Sequence, residues 1–323
     1  SMDGVDASII RSDGVNEYSV LFDKYFKYDE EIQQKLIYLR SLILEPKDLI
    51  EYNDKIKNLE REITIFHSIV TSKILDESKL KIDFIGFHGQ TIFHDSKMKL
   101  TKQIGDGKLL SQITNKIVIN DFRTNDIKNG GEGAPLAPIY HKLIVKNFVK
   151  QKKINLPVSI LNIGGISNIT KINENFDIWS KDIGPGNCMI DKWIRSNSKK
   201  KYDNNGNFAK SGKVDKFIFE QFFDNFFEKK ILIKKSLDVN DFDISFARGL
   251  SIENGAATIT EITAEILSKS ILENNIYICG GGRKNKYLIN RIQDKTSYLI
   301  NDIDVLGIDG DFIESQAFAY LAI

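Results

Sequence analysis

Cysteine is scarce in this chain: Cys188 and Cys279 are the only two in 323 residues. That excludes a disulfide framework, and their separation lacks the spacing of a zinc site. Charge of one sign is also missing. Forty-five Lys and Arg face forty-four Asp and Glu, a net charge of +1, so no global field draws in nucleic acid or an anionic membrane. No apolar run approaches the ~20 residues that cross a bilayer, and no basic stretch leads into an apolar one near Ser1. Repeats of solenoid or propeller period and low-complexity tracts are absent. These absences lead to the expectation of a soluble protein of a reducing cytoplasm, with neither nucleic acid nor membrane as partner. What is present is a hydrophobic fraction of 41%, enough to build cores in a chain of about two domains' length.

Ile9 and Ile10, then Tyr18 to Phe22, read as strands of a hairpin around Ser12-Asp13-Gly14. Pro46 opens a helical stretch in which Ile56, Leu59, Ile63, Phe66, Val70 and Ile74 recur at spacings of three and four. Residues 84–86 and 116–120 read as buried strands with polar groups at their C-terminal ends. Gly130-Gly131-Glu132-Gly133-Ala134-Pro135 is the strongest break, and it predicts a boundary between domains 1–130 and 131–323. Two further apolar strands, 158–163 and 276–279, each run into glycines, with helices expected around 191–195, 214–227 and 256–272. The pattern is that of an α/β protein of two mixed domains with a cleft.

Three glycine-containing turns adjoin strands: the Asp3-Gly4 start, Gly164-Gly165 after Asn162-Ile163, and Gly280-Gly281-Gly282. Such turns let backbone N–H groups approach phosphate oxygens. Each alone is equally a tight turn; three together favour a nucleotide site. Neither a dinucleotide fingerprint nor a Walker loop is present. Asp182, followed by Gly184-Pro185-Gly186-Asn187, is a carboxylate held by a rigid turn, as a general base requires, or else a local cap for the helix near Met189. His88, in His88-Gly89-Gln90-Thr91 with His94 behind it, stands where sites of α/β folds lie, or is a satisfied structural histidine. Arg123 after Asp121-Phe122 offers a bidentate contact to a carboxylate or phosphate, or a surface pair with Asp126. Lys27, Lys142, Lys146 and residues 199–201 read as solvated faces.

Taken together these motifs, with Gly86-Phe87 before His88, Leu136 after Pro135, Asn285 after the third glycine turn and Glu314-Ser315-Gln316-Ala317-Phe318-Ala319, place the chain close to one family. It resembles the anhydro-N-acetylmuramic acid kinases of bacterial cell-wall recycling along essentially its whole length. The resemblance implies two ribonuclease-H-like domains of the actin, Hsp70 and sugar-kinase type with an interdomain cleft for ATP. It also implies hydrolysis of the 1,6-anhydro bridge with phosphorylation of the freed O6, giving N-acetylmuramic acid 6-phosphate and ADP. By resemblance Asp182 is the general base for the attacking water. Ser1, Met2, Asp3, Gly4, Val5 and Asp6 form the first phosphate loop, Gly164 and Gly165 the second. Gly281, Gly282 and Asn285 take the adenosine side. His88, Arg123 and Glu314 are expected as sugar contacts, with Mg²⁺ accompanying ATP, no metal ligand assigned, and a homodimer as the assembly. Because O6 bridges one ring face, water enters from the other through an oxocarbenium-like transition state, as in inverting glycosidases.

The chain departs from the family pattern in three ways. It is expected to begin inside the first phosphate loop, without the strand and Gly-Thr that normally precede the position of Ser1. It is also expected to stop at Ile323, short of the family's tail. Val239 stands where Arg is common and Glu132 where Gln is common, which bears on local substrate or domain contacts. Two rivals remain at this level: an ordinary sugar kinase in which Asp182 deprotonates a free hydroxyl, and a non-catalytic nucleotide- or sugar-binding module.

Overall fold

The structure, a computed structural model, describes residues 2–224, 237–272 and 275–323. The chain divides into two compact units, Ser1–Leu143 with Glu314–Ile323, and Ile144–Ile313.

The first unit opens with the expected hairpin, β1 (Gly4–Ser12) antiparallel to β2 (Tyr18–Lys27). Asp13 closes it, its carboxylate accepting hydrogen bonds from the N–H groups of Val15, Asn16 and Glu17 at 3.0, 2.8 and 2.8 Å. Helices α1 (Glu30–Leu42), α2 (Pro46–Glu51) and α3 (Asn53–Ser78) follow. Asp29 caps α1 by accepting from Ile32 N–H, and Pro46 stands at the start of α2, where its missing N–H costs nothing. The α3 stripe behaves as its spacing demands: Ile56, Leu59, Ile63, Val70 and Ile74 are buried, in one cluster with Leu36 and Leu39 of α1, and Phe66 packs against it.

Next come β3 (Phe84–Phe87), β4 (Gln90–Asp95), β5 (Leu100–Ile104), α4 (Gly107–Thr114), β6 (Ile117–Asn120), α5 (Phe122–Lys128) and α6 (Pro138–Lys150). β3 pairs in parallel with β6, and β4 antiparallel with β5. The expectation that β3 and β6 are buried is corrected. Ile117 is 67% exposed and Asn120 is exposed, while β3 is half-buried up to Phe87. Each has only the other as a sheet neighbour among the described residues, so neither is enclosed on both edges. The glycine-rich segment 130–135 lies wholly within this unit, and the change of unit falls inside α6.

The second unit holds a five-stranded sheet. Its elements are β7 (Val158–Ile163), β8 (Ile166–Ile172), β9 (Ile178–Pro185), α7 (Cys188–Asn197), α8 (Asn207–Ser211), α9 (Lys216–Phe222), α10 (Ile252–Ser268), β10 (Ile276–Cys279), α11 (Lys286–Thr296) and β11 (Ile300–Asp302). The strand order is β11-β10-β7-β8-β9, with β8 antiparallel to both its neighbours and β10 parallel to β7 and β11. This is the ribonuclease-H-like order: a three-stranded meander extended by two parallel strands on the side of its first strand. β7 is buried at every position but Asn162, as a central strand should be. α10 is almost wholly buried from Gly255 to Leu267 and lies against β9. The helix expected over 214–227 runs over Lys216–Phe222, and its continuation from 225 lies outside the described residues. The last helix, α12 (Ile313–Leu321), carries the chain back, so that residues from Glu314 onward belong to the first unit.

Candidate active site

In the second unit the site is built by strand register. Cys279 of β10 is paired with Asn162 of β7, Asn162 with Asn168 of β8, and Asn168 with Asp182 of β9. One row across four strands thus ends on the carboxylate, and directly paired residues share a sheet face. The register shifts between Ser167 and Asn168, leaving Ile183 as an extra residue on β9. A bulge of this kind re-aims the side chains beside it. Asp182 is half-buried, and one carboxylate oxygen accepts from the Leu237 N–H at 2.9 Å. The expectation that Asp182 belongs to a rigid turn is corrected, because Asp182, Gly184 and Pro185 are paired strand residues and the turn proper begins at Gly186.

That turn clasps the second glycine pair. Gly186 N–H and Cys188 N–H donate to Gly165 O at 2.9 and 3.1 Å, and Asn187 N–H donates to Gly164 O at 2.8 Å. A Cβ on Gly186 would overlap Gly164 O, so glycine is required there. The N-terminal end of α7 therefore spends its amides on protein carbonyls, and the Gly164-Gly165 turn is held from behind. Burial pushes the Cys188 thiol up to about 12, so it stays protonated, and neither cysteine is in a disulfide.

The third glycine turn follows the neighbouring strand. Gly280 adopts φ 80° against the end of β7, where any Cβ would meet Asn162 Oδ1, and its N–H donates to Gly310 O at 3.0 Å. The two glycine turns thus sit side by side at the ends of β7 and β10. Asn285 is buried and its Oδ1 accepts from Leu288 N–H at 3.1 Å, capping α11.

Between these two residues stands a group that sequence reasoning missed. Arg283 is buried and meets four carboxylates of one loop: Asp302 at 3.3 Å, Asp304 and Asp309 at 3.2 Å each, and Asp311, which also holds Lys284. Burial works against the guanidinium charge and the aspartates more than restore it, so its pKa is raised. The signal was there as two Asp-x-Asp pairs, 302/304 and 309/311, but nothing in linear sequence points them at Arg283.

In the first unit three expected residues come together through packing. β6 passes through Asp121, at φ 63°, directly into α5, so Arg123 stands in that helix's first turn. Its Nε–H donates to His88 Nε2 at 2.8 Å and its NH1 to Gly133 O at 2.9 Å. Since His88 Nε2 accepts, the proton is on Nδ1, which donates to Gly89 O at 2.8 Å. Burial, aided by Arg123 and opposed by Glu314, holds the imidazole down to about 4, so His88 is neutral at pH 7. Asp126 accepts from Gly133 N–H at 2.8 Å, so Arg123 and Asp126 brace the glycine-rich segment from two sides. Phe318 packs its ring 4.2 Å from that of His88. Glu314, four residues earlier on α12, shares that helix face and is exposed.

The residues expected as the first phosphate loop lie at the start of the hairpin. Gly4, Val5 and Asp6 are strand residues, paired with Lys27, Phe26 and Tyr25, because β1 has already begun. Met2 and Asp3 precede it, with Asp3 O accepting from Tyr28 N–H and Tyr25 Oη. Ser1 lies outside the described residues.

Comparison with known proteins identifies the family and relatives of the chain. The whole chain, residues 1–323, matches the profile of the family described as anhydro-N-acetylmuramic acid kinase. It is 48% identical over 336 aligned positions to the anhydro-N-acetylmuramic acid kinase of Pelagibacter ubique (strain HTCC1062), covering 100% of this chain and 88% of that protein. It is 34% identical to the enzyme of the same name from Rhodospirillum rubrum, covering 100% of this chain and 84% of that one. Among solved structures it is similar to the activator of 2-hydroxyisocaproyl-CoA dehydratase from Clostridium difficile with bound ADPNP. There the identity is 13% and the TM-score 0.38, over 69% of this chain and 84% of that one.

Proposed function

The chain belongs to the anhydro-N-acetylmuramic acid kinase family, and from that premise we propose how its residues open the 1,6-anhydro bridge and phosphorylate O6. The observation that carries the reading is the row that ends on Asp182 beside two glycine turns. Asp182, fixed by the Leu237 N–H, takes a proton from water as the water attacks C1 on the face opposite O6. The C1–O6 bond breaks, and O6 attacks the γ-phosphate of ATP, releasing ADP. Developing charge on O6 passes to the phosphoryl group, so no separate protein acid is needed.

Backbone N–H groups of Gly165, Gly281 and Gly282 serve the nucleotide, while the Gly164 N–H donates to Ile166 O at 3.2 Å and shapes that turn; Met2, Asp3 and the adjoining start of β1 form the first phosphate segment. Asn285 acts on the adenosine side by setting the start of α11. His88, Arg123 and Glu314 contact the sugar. The neutral, Nδ1-protonated His88 fixes the Arg123 guanidinium rather than exchanging protons itself.

Mg²⁺ is read as arriving with the nucleotide, where it offsets phosphate charge. Among the described residues no group of three His, Cys, Asp or Glu could hold a metal. No described helix is long and apolar enough to cross a membrane. A cytoplasmic homodimer is our reading of the family.

The test is mass spectrometry of the product formed from 1,6-anhydro-N-acetylmuramic acid and Mg-ATP in ¹⁸O-labelled water. One ¹⁸O on a phosphorylated sugar is expected. Phosphorylation of ordinary amino sugars alone would identify a plain kinase, and binding without turnover a binding module. Asp182→Asn should lower kcat by roughly 10³-fold with nucleotide affinity unchanged; near-wild-type kcat would remove Asp182 from the role.

A further inference from the structure

We propose that Asn168 is a second catalytic residue, holding the attacking water together with Asp182; this rests on the reading of Asp182 as base. Asn168 is directly opposite Asp182 across the β8–β9 ladder, beside the bulge at Ile183. It is half-buried. A half-buried amide facing a fixed carboxylate can hold one water in common with it.

Directly opposed side chains start about 4.5–5.5 Å apart at Cβ. From there the side-chain oxygens of an opposed Asp and Asn can reach a spacing that one water bridges, donating over about 2.8 Å to each. Asp182 then accepts the hydrogen that leaves, and Asn168 Oδ1 accepts the hydrogen that stays. With both hydrogens committed, a lone pair of the water is aimed at C1. The division of labour follows from basicity: a carboxylate takes up a proton at neutral pH, and an amide oxygen orients the water without competing for it. The transferred proton ends on Asp182 as the water oxygen bonds to C1 and C1–O6 breaks.

The proposal predicts a preference among nucleophiles. Methanol has a hydrogen for Asp182 but a methyl group where Asn168 expects a hydrogen. In dilute methanol the wild type should form almost only the free reducing sugar phosphate. Asn168→Ala should lower kcat about 10- to 100-fold with KM for ATP within about twofold. It should also raise the ratio of methyl glycoside 6-phosphate to free sugar phosphate about tenfold, read by mass spectrometry. Asn168→Asp keeps the shape and places a second carboxylate opposite Asp182, so the acid limb of its pH–rate profile should move up by about one unit. A purely structural asparagine moves neither the product ratio nor that limb. Asn168→Asp decides the matter if Asn168→Ala does not fold. Unchanged product ratio and unchanged acid limb, with Asp182→Asn inactive, overturn the role of Asn168 alone. An active Asp182→Asn overturns the base itself.

Discussion

The two units place polar side chains by different means. In the second, β7 is flanked on both edges, and register alone sets Cys279, Asn162, Asn168 and Asp182 in one row. In the first, the described strands form three separate pairs. His88 meets Arg123 of α5 and Phe318 of α12 there, through a guanidinium–imidazole bond and a ring contact. A continuous sheet supplies a coordinate system; separate ladders leave positioning to side-chain contacts.

The largest expected effect breaks that contrast at its centre. Leu161, fully buried on β7, should cost about 3 kcal/mol or more when cut to Ala, whereas Ile117→Ala on exposed β6 should cost under ~0.5 kcal/mol. Equal losses in urea unfolding would show that the central strand has no privileged role.

A smaller effect separates the two arginines. Arg283 is sunk among four carboxylates, while Arg123 is half-buried and bonded to a neutral imidazole and a carbonyl. Arg283→Met removes the guanidinium that offsets four partly exposed aspartates and should cost about 2 kcal/mol; Arg123→Met should cost about 1 kcal/mol. The reverse order in thermal unfolding would deny the aspartate loop its dependence on Arg283.

The smallest effect is one of pH. All four histidines lie in the first unit. Burial pushes His67, His88 and His141 down to about 4. Their unfolded forms bind protons near pH 6.5, so their stability contribution is present above that pH and is lost as pH falls toward 4. In the second unit burial raises Asp191 to about 7, with Asp203 adding to the shift and Arg195 opposing it. Its contribution is complete below about pH 3.8 and is lost as pH rises through 7. Hydrogen exchange, corrected for intrinsic rates, should show the first unit losing protection between pH 7 and 5 while the second holds. Uniform loss across both units would contradict this division.

Much of the layout was legible because short-range physics sets it. The hairpin around Asp13, the α3 stripe and the glycine turns after Ile163 and Cys279 are local consequences of pattern and turn chemistry. The same local logic misled at residues 182–185, where glycine and proline suggest a turn and strand pairing overrides them. It misled again at β3 and β6, whose apolar runs suggest burial that their single ladder does not provide. The site motifs were recognisable as a set, but Asn168 was not, since nothing in its neighbours along the chain couples it to Asp182.

What the sequence determined by itself was the set of groups available: a carboxylate, the glycine turns after two strands, and an Arg and a His, all carried by residue type and order. Tertiary structure alone decided which of these meet. The one-residue shift at Ile183 faces Asp182 with Asn168, α12 returns Phe318 to His88, and residues 302–311 fold onto Arg283. Each such meeting joins residues far apart in sequence, and its energy comes from burial and hydrogen bonds that exist only once the chain has folded.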